Sequence, residues 1–221
     1  MSGWLKIVGL GPGNDALITP EVDHALSAAT DIIGYFPYVA RVQKRPGLTL
    51  HGSDNRVELD RSKLALSLAA DGKKVAVVSS GDPGVFAMAA AVFEAVEQGP
   101  ENYRRLDIEV LPGITAMLAA SARAGAPLGH DFCAINLSDN LKPWELIEKR
   151  LRLASEADFA MAFYNPRSKS RPDGFANALD VLKACCKDDR PVIFARAVST
   201  NDETINIVGL SQTTAEMADM R

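Results

Sequence analysis

Gly9-Leu10-Gly11-Pro12-Gly13 is the stretch that sets the fold class. It follows the apolar run Leu5 to Val8, which reads as a buried strand. It precedes Thr19-Pro20-Glu21, a hydroxyl cap with proline in the first helical turn. Strand, glycine-rich loop and helix open an α/β domain whose loop lets backbone N–H groups approach a ligand. The dinucleotide fingerprint is G-x-G-x-x-G, and here Pro12 stands between the second and third glycines. Proline lacks the amide donor and fixes φ where a pyrophosphate would need N–H groups. The loop is therefore expected to serve a different, nucleotide-like ligand.

Outward from this loop the alternation continues. Strands are expected at 31–35, 75–80 and 108–111, and helices at 20–29, 60–70, 85–98 and 115–123. The polar stretch 54–61 reads as a loop. The near-continuous apolar run 75–80 fits a strand buried on both faces. Beyond the breaker-rich segment 124–130, strands are expected at 132–137, 159–164, 192–197 and 204–208, with helices at 143–154 and 175–185. This pattern predicts two α/β lobes, 1–123 and 124–221, each a mixed or mostly parallel sheet covered by helices. Ligands of such sheets bind beyond the carboxyl ends of the strands. The breaker-rich loops 9–13, 81–84, 112–115 and 165–167 all follow strands, so they are expected to converge on one cleft between the lobes.

Composition narrows the function classes. The chain has 221 residues, 47% hydrophobic and 24% charged, with a net charge of −4. No global basic field argues for nucleic acid. The three cysteines, Cys133, Cys185 and Cys186, cannot form a disulfide framework, and no zinc-type array accompanies them, so no metal is expected. The alanine-rich stretch 86–96 is too short to span a bilayer and contains Glu94, so no membrane partner is expected. The start runs into a strand without a signal-peptide pattern, and the expected location is cytoplasmic.

Two further segments carry chemistry. Ser80-Gly81-Asp82-Pro83-Gly84-Val85 follows the most apolar strand, and Asp82 there can accept from a ligand or cap the next helix. Pro112-Gly113-Ile114-Thr115-Ala116 has the same duality, since the Thr115 hydroxyl can cap a helix or face a ligand.

Together these segments resemble the tetrapyrrole methylase family, the class III S-adenosylmethionine-dependent methyltransferases. The opening G-x-G-P-G followed six residues later by threonine is Gly9 to Gly13 and Thr19. The G-D-P turn is Gly81-Asp82-Pro83, and P-G-x-[ST]-[AS] is Pro112 to Ala116. Other segments are similar to the branch of this family that methylates C17 of a corrin precursor and contracts its ring. They are Gly34-Tyr35 with Pro37-Tyr38-Val39, His130 to Asp139, Phe163 to Ser168, and Ala195-Arg196-Ala197. The family usually continues with a strand or two beyond 203–209, so a shortened C-terminal sheet edge is expected here.

The resemblance implies the two-lobed fold of that family, a homodimer, and S-adenosylmethionine held between the lobes. Pro12 would line its entry. Ser80, Gly81, Asp82 and Val85 would hold the methionine and ribose portions. Thr115 and Ala116 would lie near the sulfonium, and Asn165 and Ala197 would bracket the adenine. The tetrapyrrole, rich in carboxylate arms, would meet Arg167 and Lys169, with Tyr35 and Tyr38 as walls for its flat face. The cluster Arg41, Lys44, Arg45 reads as a solvated surface, and Arg196 as a buried structural partner. Ring contraction calls for a base: of Asp82, Asp139, His130 and His24, His24 reads as structural and His130 precedes its strand, which leaves Asp82 and Asp139 as the candidates. Open alternatives are a cobalt-bound rather than metal-free substrate, a relative that methylates RNA or protein, and a non-catalytic nucleotide-binding protein.

Overall fold

The structure is a computed structural model and describes residues 3–54 and 57–219. The chain divides into two compact units, Met1–Ala116 and Met117–Arg221.

The strands of the first unit are β1 (Trp4–Gly9), β2 (Asp31–Tyr35), β3 (Thr49–Ser53), β4 (Lys74–Ser79) and β5 (Ile108–Leu111). They form one sheet in the order β3-β2-β4-β1-β5, and every neighbouring pair is parallel. The apolar run of β4 lies at the centre, buried on both faces as the sequence predicts. The unit's helices are α1 (Pro20–Ala28), α2 (Phe36–Val39), α3 (Glu58–Ala70) and α4 (Met88–Gln98). Thr19 caps α1, its Oγ1 accepting from Val22 N at 3.3 Å, with Pro20 in the first turn. α1 and α2 pack with Val8, Ile32, Ala76 and Val78 on one face of the sheet. α3 and α4 pack with Leu5, Ile7, Ile33, Val75 and Val77 on the other.

This arrangement sets the crevice. β1 exits to α1 on one face and its neighbour β4 exits to α4 on the opposite face. Their loops diverge at a topological switch point, where open α/β sheets take ligands. Register brings the strand ends level: Gly9 beside Ser79, Val8 beside Leu111, Tyr35 beside Ser53.

The structure differs from the sequence-based expectation in three places. β3 and α2 are additional elements. β3 is an edge strand carrying His51 and Gly52, and α2 spans one turn with Pro37 inside it, so neither shows a usable period. The segment expected to be a loop at 54–61 enters α3 at Glu58, with residues 55 and 56 outside the described ones. Arg61 is 4% exposed because it shares the buried stripe of Ala65 and Ala69. Helix α4 starts at Met88 rather than at 85, since Phe86 takes φ +52 and cannot join it.

In the second unit the elements are α5 (Ala116–Arg123, beginning at the division), β6 (Phe132–Asn136), α6 (Trp144–Glu156), β7 (Ala160–Tyr164), α7 (Gly174–Cys185), β8 (Pro191–Arg196) and β9 (Thr204–Gly209). β6 and β7 form a parallel pair, and β8 and β9 an antiparallel one. α6 and α7 bury Ile147, Leu151, Phe175, Leu179 and Leu182 with Ile135 and Leu137 in one core. The ring of Phe175 meets Phe194 edge-on at 5.9 Å and ties α7 to β8. Among the described residues, no helix is long and apolar enough to cross a membrane.

Candidate functional site

The carboxyl edge of the five-stranded sheet gathers three loops. Gly11 and Gly81 bridge them: Gly11 N–H donates to the Gly81 carbonyl at 3.2 Å, and Gly81 N–H donates back at 2.9 Å. Both glycines are left-handed, φ +66 and +62, where a Cβ would add strain. The third loop joins through Asp82. Its Oδ2 accepts from Gly113 N at 3.1 Å and its Oδ1 from Gly84 N at 2.8 Å. The backbones are so close that a Cβ on Gly9 would lie 2.5 Å from the Gly81 oxygen.

This edge brings Pro12, Ser80, Gly81, Asp82, Val85, Thr115 and Ala116 onto one rim. The Thr115 side chain is buried, and Pro12, Ser80 and Val85 are half-buried. Val85 N–H donates to the Asp82 carbonyl at 3.3 Å and closes the turn. The rim offers backbone polar groups, two hydroxyls and one carboxylate. That set suits a polar ligand with ammonium, carboxylate and ribose groups, and its glycines admit close approach. Both Asp82 oxygens accept from backbone N–H groups, which makes it an organiser of the turn.

Tyr35 and Tyr38 stand at the same edge, ring centroids 5.4 Å apart and nearly perpendicular. Burial pushes the Tyr38 hydroxyl above the usual phenol range, with Tyr35 adding to it, against the smaller opposing pull of Ser80, Arg41 and Arg61.

In the second unit, Asn165 and Ala197 follow β7 and β8 and are both left-handed, φ +52 and +48. Asparagine tolerates this conformation, while alanine there is strained. Asn165 Nδ2 donates to Asn136 Oδ1 at 3.1 Å, and the same oxygen accepts from Ser138 N at 2.9 Å. Asp139 is 48% exposed and lies 3.8 Å from Arg171 Nε. Arg167 donates to the Ala215 carbonyl at 3.3 Å, and Lys169 is exposed.

Several basic residues are placed otherwise than the sequence suggests. Arg41 and Arg45 are not a solvated cluster; their guanidiniums are spent on backbone carbonyls, and of the three only Lys44 is exposed. Arg196 is not buried but pairs with Asp219 at 2.7 Å, 36% exposed. Arg61, a residue that no sequence motif marks, donates to Ser53 Oγ at 2.9 Å, the Asp54 carbonyl at 2.6 Å and Met88 Sδ at 3.3 Å. Its one available signal is its place on the alanine stripe of α3.

The model of the tetrapyrrole (corrin/porphyrin) methylases matches residues 5–213. A precorrin-3B C(17)-methyltransferase of Sinorhizobium sp is 53% identical over 220 residues, spanning all of this chain and 87% of that protein. A cobalt-factor III methyltransferase of Priestia megaterium is 39% identical over 215 residues, 95% of this chain and 39% of that protein. The crystal structure of the methyltransferase CobJ superposes with a TM-score of 0.97 at 64% identity, covering all of this chain and 92% of that one.

Proposed function

This chain belongs to the tetrapyrrole (corrin/porphyrin) methylase family, and from that premise we propose that it transfers a methyl group from S-adenosylmethionine to C17 of precorrin-3B, with ring contraction to precorrin-4. The observation that carries the reading is the mutual bonding of the three strand-end loops through Gly11, Gly81 and Asp82–Gly113. The 53% identity over the whole chain supports C17 of a corrin precursor as the acceptor.

The donor supplies a methyl group on a sulfonium, whose displacement forms the C17–CH3 bond and leaves a neutral thioether. Methyl transfer needs alignment and a dry pocket rather than an enzyme nucleophile. Ser80, Gly81, Asp82 and Val85 hold the methionine and ribose portions, Pro12 shapes the entrance, and Thr115 and Ala116 flank the reacting end. Asn165 and Ala197 take the adenine. Tyr35 and Tyr38 face the macrocycle, and Arg167 and Lys169 meet its carboxylates. Ring contraction removes a proton from the C20 hydroxyl while a ring bond migrates. Asp139, 48% exposed, is the better acceptor for it, because Asp82 is tied into its turn by two backbone N–H donors. In this scheme residues 1–123 carry the donor loops and the substrate trough, and residues 124–221 complete the donor site. The enzyme works as a cytoplasmic homodimer.

The cobalt-bound substrate is the second reading, favoured by the Priestia megaterium relative. Metal-free and cobalt-loaded precursors are incubated with trideuteromethyl-labelled donor and the products weighed. A labelled methyl on the metal-free product supports the proposal. Conversion of the cobalt form alone selects the second reading, and conversion of neither removes both.

A further inference from the structure

We propose that Arg41, acting from the same face of α2 as Tyr38, is a positioning residue that holds the Pro12 loop in its donor-binding shape. The inference rests on the reading of this edge as the S-adenosylmethionine site.

Arg41 lies just beyond the end of α2, three residues after Tyr38, so both side chains leave one face of the turn. Its Nη2 donates to the Leu10 carbonyl at 2.7 Å and its Nη1 to the Gly11 carbonyl at 3.4 Å. The same Nη2 is 3.5 Å from Asp15 Oδ1. One guanidinium thus grips both feet of the loop, Leu10–Gly11 before Pro12 and Asp15 after it. Between these feet, Asn14 Oδ1 accepts from Ala16 N at 2.9 Å and shapes the exit. Gly11 is held from the other side by Gly81, so its carbonyl accepts both from Gly81 N and from Arg41. Arg41 therefore holds the first donor loop, and the Gly11–Gly81 bonds carry that restraint to the second.

The chemistry favours arginine specifically. A planar fork reaches two adjacent carbonyls and a carboxylate together, which a lysine point charge cannot do. The side chain is 21% exposed, so these bonds compete weakly with water. The Asp15 pair, with an aspartate 77% exposed, adds orientation rather than energy. Arg45 provides the internal contrast. It donates to the carbonyls of Leu26, Ser27 and Ala29 at the end of α1 and touches neither donor loop.

The test uses the full chain with Arg41→Met, Arg41→Lys and Arg45→Met. S-adenosylhomocysteine binding is followed by calorimetry, turnover by KM for the donor against kcat, and folding by thermal midpoint. Arg41→Met is expected to weaken S-adenosylhomocysteine about tenfold, raising donor KM by a similar factor with kcat much less affected. Arg41→Lys is expected to recover part of that loss. Arg45→Met is expected to lower the midpoint and leave the affinity unchanged. The proposal is overturned if folded Arg41→Met or Arg41→Lys binds as the parent does. It is also overturned if the affinity losses of all three variants follow their midpoints. If the parent chain itself fails to bind S-adenosylhomocysteine, the reading of the edge as the donor site fails instead.

Discussion

Gly113→Ala is expected to destabilise the first unit by about 3 kcal/mol, from overpacking of about 1–3 kcal/mol and a weakened charge-assisted hydrogen bond of about 1.5–3 kcal/mol, partly recovered by solvent. The added Cβ would overlap the Gly81 carbonyl oxygen and lie 2.8 Å from that of Gly9. Both oxygens belong to strand-end backbone, and Gly81 is also fixed by its two bonds to Gly11. Relief requires the 112–115 loop to withdraw, and withdrawal stretches the Gly113 N–H bond to Asp82 at 3.1 Å. The loss is large against a total stability of about 5–15 kcal/mol. The chain has two tryptophans, Trp4 in β1 and Trp144 in the second unit. A Trp144→Phe background therefore lets Trp4 fluorescence report urea unfolding of the first unit. Asp82→Asn in the same assay keeps the side-chain size but sets an amide NH2 against Gly84 N or Gly113 N, so one hydrogen bond is lost together with the charge, about 2 kcal/mol. A Gly113→Ala loss below about 0.5 kcal/mol would mean that the three loops have slack and that the rim is not close-packed.

Three other outcomes follow from the same geometry. Asp82→Asn is expected to weaken S-adenosylhomocysteine about tenfold in calorimetry and leave kcat within about threefold; unchanged affinity with kcat down about a thousandfold would make Asp82 the base. Ala197→Gly exchanges a left-handed strain of about 1–2 kcal/mol for a glycine entropy cost of about 0.5–1 kcal/mol, so it should raise stability by about 0.5 kcal/mol in urea titration. A loss of stability there would count against the left-handed backbone. Tyr38, raised by burial, contributes stability that is fully present below the unfolded phenol value near 10 and is lost as pH rises through its higher folded value. The thermal midpoint of the parent should therefore fall more steeply than that of Tyr38→Phe above that pH, and parallel curves would exclude the effect.

Much of the first unit is legible in the amino-acid sequence. The unbroken apolar run of β4 announces a parallel sheet, Thr19-Pro20 announces α1, and glycines at strand ends mark the rim. What stays hidden is tertiary. β3 has no alternation to read because it is an edge strand with Gly52 packed under the Phe36 ring. Arg41 and Arg45 look like solvent-facing charges until the chain folds and backbone carbonyls from distant segments reach them. The split of the second unit into one parallel and one antiparallel pair depends on pairing, which apolar runs of similar length do not specify. Motif order and spacing point to the candidate residues. The second of the two bonds that make Asp82 an organiser of the rim arises only when the 81–84 turn meets Gly113 in the folded sheet.

Hydrogen exchange with and without S-adenosylhomocysteine tests the central claim most directly, because it reads the rim loops themselves. The account predicts slowed exchange in peptides covering 9–14, 80–86 and 113–117, with little change at the amino ends of β1, β4 and β5. Binding that leaves these three loops unprotected, or NAD protecting them while S-adenosylhomocysteine does not bind, would contradict it.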